Sequence, residues 1–132
     1  MGVASVVQKQ AQQVAKVTAR QMDITFHIDT DFQTVRLADQ QNTAKLIKEI
    51  PTHVTPKDDA ACVVNLGAVR VFNAATHGPV PDAAAGPDDA PSGVALSTVV
   101  TTDTENDGFY DQVSHQLIAL QEWIRQQQAA SK

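Results

Sequence analysis

The sequence predicts an α+β protein, in which an antiparallel sheet of about four strands is covered on one face by helices. Two observations favour this class. Several short segments in the middle of the chain either alternate between apolar and polar residues or are rich in β-branched residues, as strands are. Both ends of the chain instead repeat apolar residues at steps of three and four, as helices do. A chain of 132 residues has the size of one domain, so we expect a single α+β domain over residues 1–132.

The first predicted element is a helix over residues 3–21. Its narrow apolar stripe consists of Val3, Val7, Ala11, Val14 and Val17. Gln, Lys and Arg fill most of the remaining positions, and a helix this polar needs another surface to pack against.

A β-hairpin is predicted to follow the first helix. Residues 22–28 alternate between apolar and polar side chains, which is typical of a half-buried strand. Thr30–Asp31 favours a turn, because an Asp side chain can hydrogen-bond to its own backbone there. Residues 33–37 would then form the returning strand of the hairpin.

Two helix starts are expected after the hairpin. Asp39 is a candidate N-cap for a helix that Pro51 would end, because the residue before a proline avoids helical backbone angles. Thr55 is a second candidate N-cap, and Pro56 would occupy the first helical position after it. These signals predict a short helix over 56–61, with an acid in its first turn.

The next two segments are predicted from composition. Segment 62–72 has apolar residues at helical spacing, but its β-branched residues and Gly67 favour a strand, so both interpretations of 56–72 stay open and a strand over 62–72 is preferred. Residues 76–93 hold four prolines and three glycines without any apolar period, which predicts a mobile Pro/Gly/Ala/Asp loop.

The end of the chain is predicted as a strand, a turn and a long amphipathic helix. Residues 94–102 are rich in Val and Thr, residues 103–108 favour a turn, and a helix runs from Phe109 to about Gln128. The aliphatic stripe of this helix consists of Val113, Leu117, Leu120 and Ile124. We expect this stripe either to cover the sheet, with Trp123 buried beside it, or to form an interface between copies of the chain.

Charge is sorted along the chain, and this limits what its surfaces can bind. The formal net charge is −5, and eight acids but no Lys or Arg lie between Arg70 and Arg125. An acidic 82–111 region favours a basic protein partner and excludes nucleic acid, whose phosphates require clustered Lys and Arg. No apolar run approaches the length of a membrane span, so no membrane partner is expected. The single Cys62 cannot form an internal disulfide, which favours the cytoplasm.

Candidate binding residues are few. His27 and Asp29 would lie on one face of the first predicted strand, and together with His53 they are weak candidates for ligand binding. The run at 103–108 resembles the first half of a calcium loop, with Asp103, Glu105 and Asp107 as weak candidate ligands.

Position twelve of that loop is a serine, which cannot chelate, so no metal site is predicted. The sequence contains no nucleophile motif and no phosphate-binding glycine motif, so no catalytic residue and no cofactor is predicted.

These observations favour a small, soluble, non-catalytic binding or assembly protein that acts through its surfaces and self-associates. The alternative is a small-ligand-binding protein or an enzyme, with a pocket between the sheet and the helices that uses His27 and Asp29.

Overall fold

The structure, a computed structural model, describes residues 2–76 and 86–131. Within these residues the four helices are α1 (Val3–His53), α2 (Pro56–Ala61), α3 (Leu66–Thr76) and α4 (Leu96–Ala130). The described residues contain no strand, and the sheet-like pairing found among them is an isolated antiparallel bridge between Asn65 and Pro91. The expected α+β class with a four-stranded sheet is therefore wrong, and the described part of the chain is all-α.

The predicted hairpin is wrong because its apolar alternation fits a helix as well as a strand. The two strands and the turn between them all lie inside α1, at 22–28, 33–37 and Thr30–Asp31. Ile24 and Ile28, four residues apart, are half-buried, whereas Met22 and Phe26, also four apart, are exposed. Two i,i+4 pairs on opposite faces of a helix produce the same string of residues as one face of a strand.

The predicted strands at 62–72 and 94–102 are also wrong. Residues 62–65 are not helical, but α3 begins at Leu66, and α4 begins at Leu96. Three threonine hydroxyls of α4 each donate to the backbone carbonyl four residues earlier, namely those of Thr101, Thr102 and Thr104. These bonds satisfy hydroxyl groups that would otherwise compete with the helical backbone, so β-branched residues are accommodated within the helix.

Both long helices extend further than predicted. Asp39 lies inside α1 and does not cap a helix, and α1 passes Pro51 to end at His53. Only Thr52 and His53 follow Pro51 in α1, so the missing N–H and the clash of the ring with the preceding turn disrupt little further helix. At the other end, the predicted turn at 103–108 is helical, so α4 begins well before Phe109.

The start of α2 confirms the N-cap prediction. The Thr55 hydroxyl accepts a hydrogen bond from the backbone N–H of Asp58 at 3.3 Å, and the Asp58 carboxylate accepts one from the backbone N–H of Thr55 at 2.8 Å. Pro56 occupies the first turn. This reciprocal arrangement is a capping box, which satisfies donors that a helix start otherwise leaves unpaired.

The capping box predicts how acid affects stability. Hydrogen bonds from the Thr55 backbone and hydroxyl hold the pKa of Asp58 below its ordinary value of 3.8. A depressed folded-state pKa contributes stability above the ordinary pKa, and that contribution is lost as the pH falls through the folded-state pKa. We expect the difference in unfolding free energy between wild type and Asp58→Asn to be constant near neutral pH and to shrink below pH 3.8. Urea unfolding at a series of pH values measures this, and a difference that grows in acid contradicts it.

The chain divides into two compact units. Unit 1 comprises Met1–Asp39 and Asp111–Lys132, and unit 2 comprises Gln40–Tyr110. The division into units does not fix the number of domains, so the single domain predicted over residues 1–132 stays a prediction. Buried apolar residues among those described are few, and most belong to unit 2: Ile50, Leu66 and Val69, with Ala130 in unit 1.

The predicted loop at 76–93 is described only in part. Thr76 ends α3, and residues 77–85 lie outside the described residues. The described part, 86–93, is tied to the start of α3 by backbone hydrogen bonds, such as Leu66 N–H to the Ala90 carbonyl at 2.9 Å. The predicted mobility of 76–93 stays a prediction.

None of the helices in residues 2–76 and 86–131 combines the length and the apolar character that a membrane span requires.

Candidate functional site

Unit 1 is built around an antiparallel pairing of α1 with the C-terminal part of α4. Hydrogen bonds join the two helices at three levels: Gln127 Nε2 to the Gln21 carbonyl at 3.0 Å and to Thr25 Oγ1 at 3.3 Å, Trp123 Nε1 to Thr25 Oγ1 at 2.9 Å, and His115 Nδ1 to Asp39 Oδ2 at 2.6 Å. Residue numbers fall along α4 as they rise along α1, so the helices run in opposite directions. These contacts place polar side chains of α4 against α1, whereas the half-buried side of α1 itself includes the apolar Ile24, Ile28 and Phe32.

The inward face of α4 in unit 1 carries polar and small side chains. Most of its buried and half-buried residues recur at steps of three and four, at Gln112, His115, Ala119, Trp123, Gln126 and Ala130, and Ser114, Glu122 and Gln127 are half-buried as well. Trp123 was expected to be buried, but it is half-buried and uses its indole N–H as a hydrogen-bond donor. From sequence alone this seam resembles a solvent-facing side, because Gln and His predominate in it.

The aliphatic stripe of α4 faces away from this seam. Its four residues, which we call the α4 stripe, are exposed by 63% at Val113, 54% at Leu117, 50% at Leu120 and 48% at Ile124. The expectation that this helix turns its stripe inward as the cover of a sheet is therefore wrong. An exposed aliphatic row on an otherwise polar helix marks a surface that another molecule can cover.

A groove runs along one side of the paired helices, next to the α4 stripe. Two adjoining stretches of about 500 Å³ and 600 Å³ share Thr25 and Trp123 and together form what we call the unit 1 groove. Its apolar lining includes Met22, Phe26, Phe32 and Leu120. Among the described residues that line it, Asp29 and Arg36 alone are charged. The groove is long, open and largely uncharged, as is a surface that receives a helix.

The first part of α1 extends past the end of α4. The last contact between the helices joins Gln127 to Gln21, and α4 ends at Ala130, so antiparallel pairing reaches no further than about residue 17 of α1. Val3, Val7 and Val14 of this segment are exposed. The segment 3–21 is thus helical, as predicted, but most of its valine stripe lies beyond the end of α4.

The three candidate ligand-binding residues do not converge. His27 Nε2 lies 3.3 Å from Asp23 Oδ1, one helical turn away, and both side chains are exposed. Asp29 accepts a hydrogen bond from Gln33 Nε2 at 3.5 Å and lines the unit 1 groove. Residues two apart on a helix point in directions about 200° apart, so His27 and Asp29 cannot act on one ligand together. His53 belongs to unit 2.

The calcium hypothesis depended on a loop at 103–108. Asp103, Glu105 and Asp107 lie within α4, where alternate side chains point to different sides of the helix. Among the residues that the structure describes, no group of three or more His, Cys, Asp or Glu side chains could hold a metal ion. Because these residues are helical, they do not form the loop on which the calcium hypothesis depended.

An exposed ion pair flanks the inward seam of α4. Hydrogen bonds from Arg125, and then from Gln126, hold the pKa of the Glu122 carboxyl below its ordinary value. The same Glu122 carboxylate raises the pKa of Arg125. Both partners stay charged near neutral pH, so they shape the solvent side of the helix and supply no acid–base group for catalysis.

Unit 2 contains a smaller apolar pocket between α3 and α4. Its volume is about 190 Å³, and its lining includes Phe72, Val99 and Asn73. The Oδ1 atom of Asn73 is buried and has no hydrogen-bond partner among the described residues. Ligand pockets usually measure about 300 Å³ or more, so this space is the size of a packing defect.

Sequence reasoning missed Arg36, which is the positively charged residue found among the described residues that line the groove. The signal that could have identified it is its position seven residues after Asp29, which places opposite charges on the same side of one helix. Comparison with protein-family models, with curated proteins and with solved structures finds no match to this chain.

Proposed function

We propose that this chain is a non-catalytic helical assembly protein that associates with a second copy of itself through unit 1. The observation that carries the proposal is the reversal of α4, whose polar seam packs against α1 while its aliphatic α4 stripe is exposed. A chain that folds alone gains by burying its aliphatic residues and exposing its glutamines. The opposite arrangement is favourable when another helix covers the exposed row.

The spacing of the α4 stripe supports a helical partner. Val113, Leu117, Leu120 and Ile124 follow steps of four, three and four, which is the spacing of the two apolar positions of a heptad. Such a row fits between the side chains of a second helix that lies nearly parallel or antiparallel to it. The groove beside the stripe supplies space for that helix.

The energetics also support assembly. Burying the exposed half of four aliphatic side chains contributes on the order of 4 kcal/mol per chain. That is a large share of the stability of a small domain. With so few buried apolar residues in the described part of the chain, an added interface would supply much of the missing apolar burial.

The alternative of a ligand pocket between a sheet and helices has lost its basis. The described residues form no sheet, and His27 and Asp29 point to different sides of α1.

Two finer proposals concern partners and compartment. The exposed acids Asp103, Glu105 and Asp107 of α4 favour a basic protein as an additional partner, and they disfavour nucleic acid. The exposed Cys62, the single cysteine of the sequence, has no second cysteine to pair with and suits a reducing compartment such as the cytoplasm.

Sedimentation equilibrium over a wide range of protein concentration tests the proposal. We expect the wild type to self-associate and the Leu117→Asp/Leu120→Asp variant to sediment as a monomer, because each introduced charge would be buried without a partner in the interface. Both leucines are about half exposed in the single chain. The variant should therefore keep the helical circular dichroism of the wild type.

Ile118→Asp is the matched control. Ile118 is 60% exposed and adjoins Leu117, but it lies outside the heptad row, so this variant should assemble like the wild type. A wild type that remains monomeric at every concentration refutes the proposal. Equal dissociation by Ile118→Asp would show that the α4 stripe is not the interface.

A further inference from the structure

We propose that the second copy packs antiparallel against α1 across the unit 1 groove, about a two-fold axis that passes between the two α1 helices at the level of Phe32 and Gln33. In this arrangement Asp29 of each copy pairs with Arg36 of the other. The inference rests on the proposed self-association and adds to it the face, the direction and the register of pairing.

The charge of the groove is the first observation. Within the part of the chain that the structure describes, Asp29 and Arg36 are the charged side chains that line it, and their charges are opposite. No ion pair of Arg36 is found within the part of the chain that the structure describes, and Asp29 receives only the long hydrogen bond from Gln33. A surface with one acid and one base is complementary to a second copy of itself under two-fold symmetry.

The spacing of the two charges prevents them from neutralising each other within one chain. Asp29 and Arg36 are separated by seven residues of continuous helix, which is about 10 Å along the axis. Seven residues are also about two turns, so both side chains point to the same side of α1. Each charge is therefore presented to the groove without a partner on its own helix.

The proposed register follows from the positions of these charges. Phe32 is three residues after Asp29, and Gln33 is three residues before Arg36. A two-fold axis between Phe32 and Gln33 makes the helices antiparallel and brings Asp29 of one copy level with Arg36 of the other, twice in each dimer. A parallel pairing would instead oppose two aspartates and two arginines.

The same register places apolar residues at the centre of the interface. Thr25 lies beside Trp123, and Asp39 lies beside His115, so the level of Phe32 on α1 is close to that of Leu120 on α4. Both Phe32 and Leu120 line the groove. The centre of the dimer would then be apolar, with one ion pair on each side.

The basic residues near the N-terminus do not oppose this packing. Lys9, Lys16 and Arg20 lie about half a turn around α1 from Asp29, at about 100° per residue. They stay on the solvent side of the helix when the groove is covered.

Charge reversal tests the inference, with association measured by sedimentation velocity and mixed species identified by native mass spectrometry. In Asp29→Arg or Arg36→Asp homodimers both ion pairs become like-charge contacts. We expect each single variant to raise the dimer dissociation constant by about 30-fold or more. The double variant Asp29→Arg/Arg36→Asp restores both pairs with their charges exchanged, and it should return to within about threefold of the wild type.

A mixture of the two single variants gives a second, independent test. One copy then carries two arginines and the other two aspartates, so a one-to-one heterodimer should form where each single variant alone is monomeric. Asp31→Arg is the control, because Asp31 is exposed and does not line the groove, and it should assemble like the wild type.

The outcomes separate this inference from the proposed function. If the wild type self-associates but neither single reversal weakens it, or if the mixture does not recover a dimer, the antiparallel register is overturned while assembly stands. If the wild type does not self-associate at all, the proposed function fails first. Circular dichroism of every variant verifies that folding is unchanged.

Discussion

Replacing Gly108 with alanine should lower the free energy of unfolding by about 2 kcal/mol, although the same change inside most helices raises it by up to about 1 kcal/mol. Gly108 is buried in the interior of α4, and the side chain of Thr43 on α1 packs directly against its Cα. A Cβ atom there would clash with the Thr43 hydroxyl and would lie 2.9 Å from Thr43 Cγ2. Threonine is branched at Cβ and has little freedom to move aside, so the helices must separate.

A double-mutant cycle identifies this contact as the cause. Thr43→Ala removes the Oγ1 and Cγ2 atoms and leaves only the Cβ atom, at 3.2 Å, so Gly108→Ala should lower the unfolding free energy much less in that background. Urea unfolding of all four proteins, monitored by circular dichroism at one protein concentration, measures the coupling. If Gly108→Ala stabilises the wild type, α1 and α4 do not approach at this position.

The prediction for Gly108 could not have been made from the sequence, and the reason applies to much of the fold. A glycine that follows an aspartate is typical of a turn, and the sequence predicted a turn at 103–108. The residue is instead required by a close approach of two helices whose contacting residues lie far apart in the chain. No local pattern reports such a contact, because glycine is equally permitted in both settings.

Local signals were predictive where the interactions themselves are local. The start of α2 was predicted correctly because Thr55, Pro56 and Asp58 interact within one helical turn. The helical parts of 3–21 and 109–128 were also found, since each has an apolar period. The strand predictions failed because β-branched residues have only a weak preference for strands, and helix packing overrides that preference.

The sequence predicted which residues form the candidate surface but not the direction in which that surface faces. The four residues of the α4 stripe were identified as a stripe by their spacing, which is local information. Which side of α4 packs against α1 depends on contacts between residues 76 to 106 positions apart in the sequence, such as His115 with Asp39 and Gln127 with Gln21. These contacts are polar, so a search for apolar periodicity selects the opposite face.

Replacing Asp59 with alanine is expected to lower the free energy of unfolding by about 2 kcal/mol, since charged hydrogen bonds at a helix start are among the strongest single contacts. The Asp59 carboxylate accepts two hydrogen bonds from Ser97 in the first turn of α4, from the backbone N–H at 2.8 Å and from the hydroxyl at 2.6 Å. Ala95, which precedes α4, has no side-chain acceptor. Asp59 thus caps α4 from a distant part of the chain, and its negative charge lies at the positive end of the helix.

A local cap should rescue this loss, which separates capping from any other role of Asp59. In the Asp59→Ala background, Ala95→Asp places a carboxylate at the N-cap position of α4 and should recover about half of the lost stability. Asp89→Ala is the control, because Asp89 is exposed, and it should change the unfolding free energy by no more than about 0.5 kcal/mol. Thermal and urea unfolding of the four proteins measure these differences. If Asp59→Ala lowers the stability and Ala95→Asp restores none of it, a substitute acceptor at the start of α4 does not replace Asp59. Asp59 would then hold α2 and α4 together by some contact other than the cap.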